Sequence, residues 1–398
     1  MTIQLLAPAG DLARAKIAYR FGADAVYVGG KRFSLRARAS NFEIADLKEA
    51  AEFAHDLGRK LYVTVNMVAH EDDLEGLEAY LKELEAIKVD AIIVASLYIA
   101  SLCQQRHLKF EVHLSTQLSI TNSKTIAFYR SLGISRVVLA RELDLKAIET
   151  ITTNSALETE VFIHGGMCTN FSGRCTLSND MTLRDANRGG CAQSCRWSYE
   201  LSQNGTVISS SEEPFTMGSK DLQALDEIEA LIKAGVVSLK IEGRMKSAYY
   251  IAVIVNVHRT WIDACQRNQA DEKLKSILMT ELKMAESRST FDGFLNNLPD
   301  QNGQVYLTQE EGALQYFVGT VLSAKNGLAV LELRNNLKLG ETLEIFSADR
   351  PLEPFVLTSM SDENGQTVSV ANKPLAKMTI NVPETVKAGD FIRRKANL

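Results

Sequence analysis

The sequence predicts an α/β fold, a (β/α)8 TIM-like barrel followed by a small C-terminal antiparallel β-barrel module. Three observations predict it. Eight short apolar, β-rich runs alternate with amphipathic segments over the first 245 residues; the first turn, Ala7-Pro8-Ala9-Gly10-Asp11, lacks the glycine-rich fingerprint of an open doubly wound sheet; and after a turn-rich stretch near residue 300 the hydrophobic period changes to two. Eight strand–helix units in roughly 250 residues is the size of a closed barrel.

The candidate strands, in order, are Ile3–Leu6, Ala25–Val28, Leu61–Val65, Ala91–Val94, Phe110–Leu114, Arg136–Leu139, Glu160–Ile163 and Val236–Ile241. Helical periodicity fills the gaps, as in Leu74, Leu77, Leu81 and Leu84, or Leu222, Leu225, Ile228, Leu231 and Ile232, with Gly58 and Gly235 where helix C-terminal glycines belong. Residues 1–270 are thus assigned to the barrel, with a cysteine-rich loop at 165–200, residues 271–314 to a helical linker and residues 315–398 to the β module. Within that module Tyr316–Val321, Leu328–Leu333, Glu341–Ile345, Thr367–Val370, Met378–Val382 and Asp390–Arg393 alternate as strands, with Asn326-Gly327 and Asn364-Gly365 as hairpin turns.

Composition bounds the function. No apolar run approaches the ~18 residues of a membrane span, and the N-terminus has no secretory pattern, so a cytoplasmic protein without a membrane partner is expected. In a reducing compartment six cysteines read as metal ligands or reactive thiols rather than disulfides. The net charge of -5 argues against a uniformly basic nucleic-acid coat and directs attention to local patches.

In a closed barrel the residues just past each strand meet at one mouth, where such folds carry their chemistry. Here they are Asn66, Ser96, Ser115, Gln117, Arg141, Glu142, His164, Glu242 and Arg244. Basic residues cluster after strand 2 (Lys31, Arg32, Arg36, Arg38), after strand 7 (Arg174, Arg184, Arg188, Arg196) and around strand 8 (Lys240, Arg244, Lys246), a positive arc suited to an anion. The alternative is that several of these arginines serve structural salt bridges.

Four of the six cysteines, Cys168, Cys175, Cys191 and Cys195, fall within 28 residues after strand 7. Their spacings match neither zinc-ribbon knuckles nor a radical-enzyme triad, yet four thiolates in one loop can hold a structural zinc or the four ligands of a 4Fe-4S cluster. Cys103 and Cys265 lie on candidate helices and read as small apolar core residues.

The run Glu160-Val-Phe-Ile-His164-Gly-Gly-Met-Cys168, with Cys175 and Ser178 beyond it, resembles the signature of the collagenase-like peptidase family U32. Leu6-Ala-Pro-Ala-Gly10, Phe33-Ser-Leu-Arg36-Ala-Arg38, Arg188-Gly-Gly-Cys191-Ala-Gln-Ser-Cys195-Arg196 and Lys240-Ile-Glu242-Gly-Arg244 agree with it. The resemblance covers most of the chain and is closest to the tRNA hydroxylation branch. It implies hydroxylation of tRNA wobble uridine to 5-hydroxyuridine, with prephenate as hydroxyl source, a 4Fe-4S cluster on the four loop cysteines, and tRNA and the anion as partners; whether a partner protein joins them is left open by the sequence. On this reading Arg36, Arg38, Asn66, Gln117, Arg174, Lys240 and Arg244 bind substrate, while His164 and Glu242 transfer protons. Two other readings stay open. One is a cysteine peptidase using a loop thiol with His164, although neither a zinc-protease helix nor a serine elbow is present. The other is a zinc-stabilised module that binds RNA or a protein.

Overall fold

The computed structural model describes residues 3–35, 39–210, 212, 214–285, 288–305 and 316–395. Eight parallel strands close a barrel: β1 (Gln4–Pro8), β2 (Ala25–Gly29), β3 (Lys60–Val65), β4 (Ala91–Val94), β5 (Glu111–Leu114), β6 (Arg136–Val138), β7 (Glu158–Gly165) and β8 (Ser238–Ile241). Each pairs with the next, and β8 pairs with both β7 and β1, so no edge is left. All eight predicted strands are present. Inward-facing Leu6, Ala25, Tyr27, Tyr62, Ala91 and Ile93 pack as a separate cluster inside the barrel, apart from the larger core between strands and helices.

The helices between strands start where side chains can satisfy their free backbone N–H groups. Asp11 caps α1 (Leu12–Arg20), Asn122 caps α5 (Ser123–Arg130) and Asp144 caps α6 (Leu145–Thr153). The others are α2 (Ile44–Asp56), α3 (Leu77–Ala86), α4 (Leu97–Gln105), α7 (Leu177–Thr182) within the cysteine loop, α8 (Ile228–Lys233), α9 (Ala248–Gln266) and α10 (Glu272–Ala285). Ser247 caps α9, which is apolar nearly all round because it is buried between the barrel and the tail.

The helical reading of Leu222–Ile232 is corrected at its start. Asp221–Gln223 is a short strand, antiparallel to the end of β7 and parallel to Thr290–Phe291, and the helix begins only at Ile228. Tertiary strand pairing overrides the helical spacing there. The segment expected as a linker is helical through Ala285 and packs on the barrel, to whose sheet Thr290–Phe291 adds a strand.

The tail is antiparallel, as expected. Its sheet curls as a half-barrel from β9 (Phe317–Lys325), β10 (Leu328–Leu333), β11 (Thr342–Phe346), β12 (Glu353–Val356), β13 (Met360–Ser361), β14 (Lys377–Asn381) and β15 (Phe391–Arg394), in the order β12-β11-β15-β9-β10-β14-β13. Asn326 and Gly327 both take positive φ, the turn that a two-residue hairpin needs. The sequence reading missed β12, β13 and Leu337–Lys338, which are short and lack a clear alternation.

The tail sits against the barrel through aromatic and ionic contacts. Tyr249 of α9 stacks on Phe317 at 4.6 Å, and Phe21 stacks on Phe346 at 5.2 Å. Arg393, fully buried, donates to Glu281 of α10 at 2.7 and 2.9 Å and to Glu344 of β11 at 3.3 Å.

Candidate functional site at the barrel mouth

Period-two alternation sorts the strand residues. Tyr62 faces the barrel axis with Thr64 and then Asn66, His113 with Ser115, and Ser238 with Lys240 and Glu242. Deep in the barrel, Glu160 accepts from Lys240 Nζ at 2.8 Å and from Ser238 at 2.9 Å, with Arg136 at 3.4 Å. Burial alone would raise the Glu160 carboxyl, but Lys240 and Arg136 together outweigh it and hold it down at about 2. Lys240, expected to bind substrate, is therefore corrected to an interior ion pair, with its ammonium also 4.6 Å from the centre of the Tyr27 ring. The sequence placed it one turn of the alternation too near the surface.

Arg244 also has a different place from the one expected. Its guanidinium donates to Ser34 Oγ (2.9 Å), Thr64 Oγ1 (3.0 Å), the Leu35 carbonyl (2.9 Å) and Asn41 Oδ1 (2.7 Å), fastening the loop after β2 to the loop after β8. Gly29 allows this approach, since a Cβ there would lie 2.4 Å from Arg244 Nη2. The loop so fastened carries Arg36 and Arg38, which lie outside the described residues.

Four other predicted residues do come together. Asn66 accepts from the Leu35 N–H at 3.2 Å and donates to Gln117 Oε1 at 3.0 Å; Ser115 donates to the same oxygen at 3.1 Å; and Arg174, exposed, donates through Nε to the Gln117 carbonyl. Glu142 braces the loop beyond, accepting from the Ser172 N–H at 2.6 Å and its hydroxyl at 2.7 Å.

Glu242 reaches the mouth from β8, where it accepts from the Tyr27 hydroxyl at 3.0 Å. Burial first, and then the Glu242 charge, push the Tyr27 phenol well above its ordinary range, so it stays a proton donor. Tyr27 escaped the sequence reading because it lies within a strand, where only its inward register marks it. The Arg141 guanidinium sits over Phe162, 3.8 Å from the ring centre, and donates to the Gly166 carbonyl at 3.3 Å.

His164 does not join them. A bulge between the pairs Lys240↔Phe162 and Ile241↔His164 turns it outward, where its ring packs against His258 (5.1 Å) and Tyr250 (6.0 Å) of α9. It is 1% exposed, and burial, reinforced by His258 and Lys246, holds it neutral well below the ordinary histidine range. Unbroken alternation would have pointed it at the axis.

The cysteine loop leaves β7 beside Arg141. The Cys168 thiol is pushed up chiefly by burial, against a backbone hydrogen bond from Asn170 and the charge of Arg141, with Cys175 and Cys195 near enough to raise it further. The Leu177 N–H donates to Cys175 Sγ at 3.4 Å, Asn187 donates to the Cys175 carbonyl at 3.0 Å, and Ser178 accepts from Ala192, next to Cys191, at 3.0 Å. Arg196, adjoining Cys195, donates to the Met167 carbonyl at 3.1 Å and to Ser219, with buried Asp221 at 3.8 Å, and so ties the two ends of the loop together. Asp221 also faces Lys246 and Arg288, a hub that no local sequence pattern announces. Part of the positive arc is neutralised: Arg188 pairs with Asp72 and Asp73, and Lys31 with Glu43.

All six cysteines are free thiols, and among the described residues no three His, Cys, Asp or Glu side chains converge as a single-ion site. Four soft, partly buried thiols in one loop are a donor set that suits either a tetrahedral zinc or a 4Fe-4S cluster. Cys103 is buried on α4 with its thiol pushed up to about 12 by burial, inert as expected.

Comparison with known proteins adds three observations. Residues 10–305 match the family model described as peptidase family U32, and residues 314–393 match the model of its C-terminal domain. The chain is 39% identical to tRNA hydroxylation protein P1 of Bacillus subtilis over 98% of this chain and 94% of that one. It is 40% identical to a 23S rRNA 5-hydroxycytidine synthase of Escherichia coli over 68% of this chain and 40% of that one, and 29% identical to a collagenase of Porphyromonas gingivalis over 98% and 97%.

Proposed function

Because the chain belongs to peptidase family U32, we propose that it is an RNA hydroxylase whose substrate is tRNA, converting wobble uridine to 5-hydroxyuridine in the cytoplasm. The end-to-end similarity to a tRNA hydroxylation protein carries this reading, and the shorter match to a ribosomal RNA hydroxycytidine synthase agrees with it in reaction type. Among the described residues no helix is long and apolar enough to cross a membrane.

The mouth supports the chemistry. Cys168, Cys175, Cys191 and Cys195 would hold a 4Fe-4S cluster, which supplies electron transfer or polarises a bound substrate. The Arg141 charge acts on both the Cys168 thiol and the Tyr27 phenol, which supports a group on the cysteines within electrostatic reach of the mouth. Prephenate, the proposed hydroxyl donor, has two carboxylates that Arg174 and the loop of Arg36 and Arg38 would hold. A wobble base is already single-stranded, so turning it toward the mouth costs little. Glu242, hydrogen-bonded to a phenol that stays protonated, is the group placed to accept a proton there. His164 supports β7 against α9 instead.

A peptidase reading rests on the collagenase relative. It requires a thiol beside a base, whereas His164, the histidine that reading would use, packs against His258 of α9.

The deciding experiment is mass spectrometry of nucleosides from tRNA and ribosomal RNA of a strain lacking the gene, its parent and a complemented strain. Loss of 5-hydroxyuridine from tRNA alone, restored by complementation, is expected. Unchanged tRNA with loss of gelatin cleavage would replace the reading with the peptidase.

A further inference from the structure

Leu35, Asn66 and Gln117 form a hydrogen-bond relay whose direction the backbone sets. The Leu35 N–H can only donate, and it donates to Asn66 Oδ1, which fixes the Asn66 amide with Nδ2 toward Gln117. Nδ2 can only donate as well, so the Gln117 atom it meets must be the oxygen, and Ser115 supplies that oxygen with a second donor. Turning the Gln117 amide over would set N–H against N–H. What the side chain has left to offer is Nε2 with its hydrogens.

Gln117 is 5% exposed, and its Nε2 has no hydrogen-bond partner among the described residues. Such a buried donor costs stability unless an acceptor reaches it. Its position says where the acceptor would come from. Asn66 and Ser115 both continue the axis-facing registers of β3 and β5, so the amide they hold lies over the barrel interior, with Arg174 joined to the same residue's carbonyl.

We propose that Gln117 Nε2 is a binding donor for an acceptor oxygen of the substrate, either the exocyclic carbonyl of the target pyrimidine or a carboxylate of the anionic co-substrate. The identity of these ligands rests on the RNA hydroxylase reading, whereas the donor-only character of the amide does not. A head that only donates complements O4 of uracil and opposes the N4 amino group of cytosine.

The test uses the full chain in two arms, with Gln117→Met, Gln117→Glu and Asn66→Asp. In the first, purified proteins are titrated with prephenate. In the second, the same variants complement the deletion strain and 5-hydroxyuridine and 5-hydroxycytidine are measured. If the acceptor is a carboxylate, Gln117→Met weakens prephenate binding about tenfold and Gln117→Glu weakens it further by like charge. If it is the base carbonyl, prephenate binding is unchanged, Gln117→Met lowers 5-hydroxyuridine about tenfold, and Gln117→Glu raises 5-hydroxycytidine relative to it. In both cases Asn66→Asp, which lets the amide turn, gives a smaller loss of the same kind.

Wild-type-like behaviour of Gln117→Met in both arms overturns the proposal. So does an equal loss in both arms for all three variants together with a lowered melting temperature, which would make Gln117 a brace of the rim. If the wild-type gene restores no hydroxylated pyrimidine, the RNA reading fails, and the titration decides Gln117 alone; absence of wild-type prephenate binding as well would overturn both.

Discussion

Cys168, Cys175, Cys191 and Cys195 are the residues on which the proposed chemistry turns, and the proposal requires them to act as a set. Replacing any one with alanine is expected to reduce iron and acid-labile sulfide per chain by more than half in anaerobically purified protein, while Cys103→Ala, on α4 away from the loop, leaves both unchanged. Iron retained in a loop variant would remove that cysteine from the ligand set. A second prediction concerns His258, whose fully buried ring is held neutral by burial, with its affinity for a proton lowered from 6.5 to about 4. The unfolded chain takes up the proton near pH 6.5 and the folded chain does not. The contribution is therefore complete above pH 6.5 and declines as pH falls toward 4, by roughly 3 kcal/mol for this one residue. Denaturant midpoints between pH 7.5 and 4.5 should fall more steeply for the wild type than for His258→Gln. Residue-level legibility followed from position after a strand. Asn66, Gln117 and Glu242, just past strand ends, and Arg174, in the loop after β7, do reach the mouth, whereas Lys240 and Arg244 are used inside the protein because β7 and the loop after β2 supply their partners.

Among the elements, the bulge in β7 and the closure of the cysteine loop decide the site. One extra residue at Ile163 reverses the facing of His164 while keeping Phe162 beneath Arg141. No sequence period reveals a bulge, because it is set by what β8 presents opposite. The loop itself has little regular structure, and Arg196 spans its ends at Met167 and Ser219. Arg196→Met is expected to leave the barrel's melting temperature within a few degrees but to raise the alkylation rate of the loop thiols several-fold in metal-free protein, read by mass spectrometry of trapped cysteines. The Arg196 hydrogen bonds close the loop, whose opening is a local event, and Asp221 keeps Lys246 and Arg288 when Arg196 is lost. An alkylation rate equal to wild type would show that other bonds close it.

Across the whole molecule, the tail is fastened by a buried arginine between two carboxylates. Arg393→Met would leave Glu281 and Glu344, both largely buried, without their cation, at a cost of about 3–5 kcal/mol to the docked arrangement. Limited proteolysis should then release barrel and tail fragments faster than in the wild type, and adding Glu281→Gln and Glu344→Gln should recover part of the loss. The eight-strand barrel, the antiparallel tail and the clustering of four cysteines after β7 were all legible in the chain, because hydrophobic period, turn residues and local spacing are properties of the chain. Which polar side chains face a ligand was settled only by folding. Lys240 meets Glu160 across the barrel, Arg244 meets the loop after β2, Asp221 gathers Arg196, Lys246 and Arg288, and the Leu35 N–H orients Gln117 through Asn66. These partners lie far apart in the chain, and a side chain's charge or hydrogen-bonding capacity becomes available to a ligand only to the extent that folding has not already satisfied it.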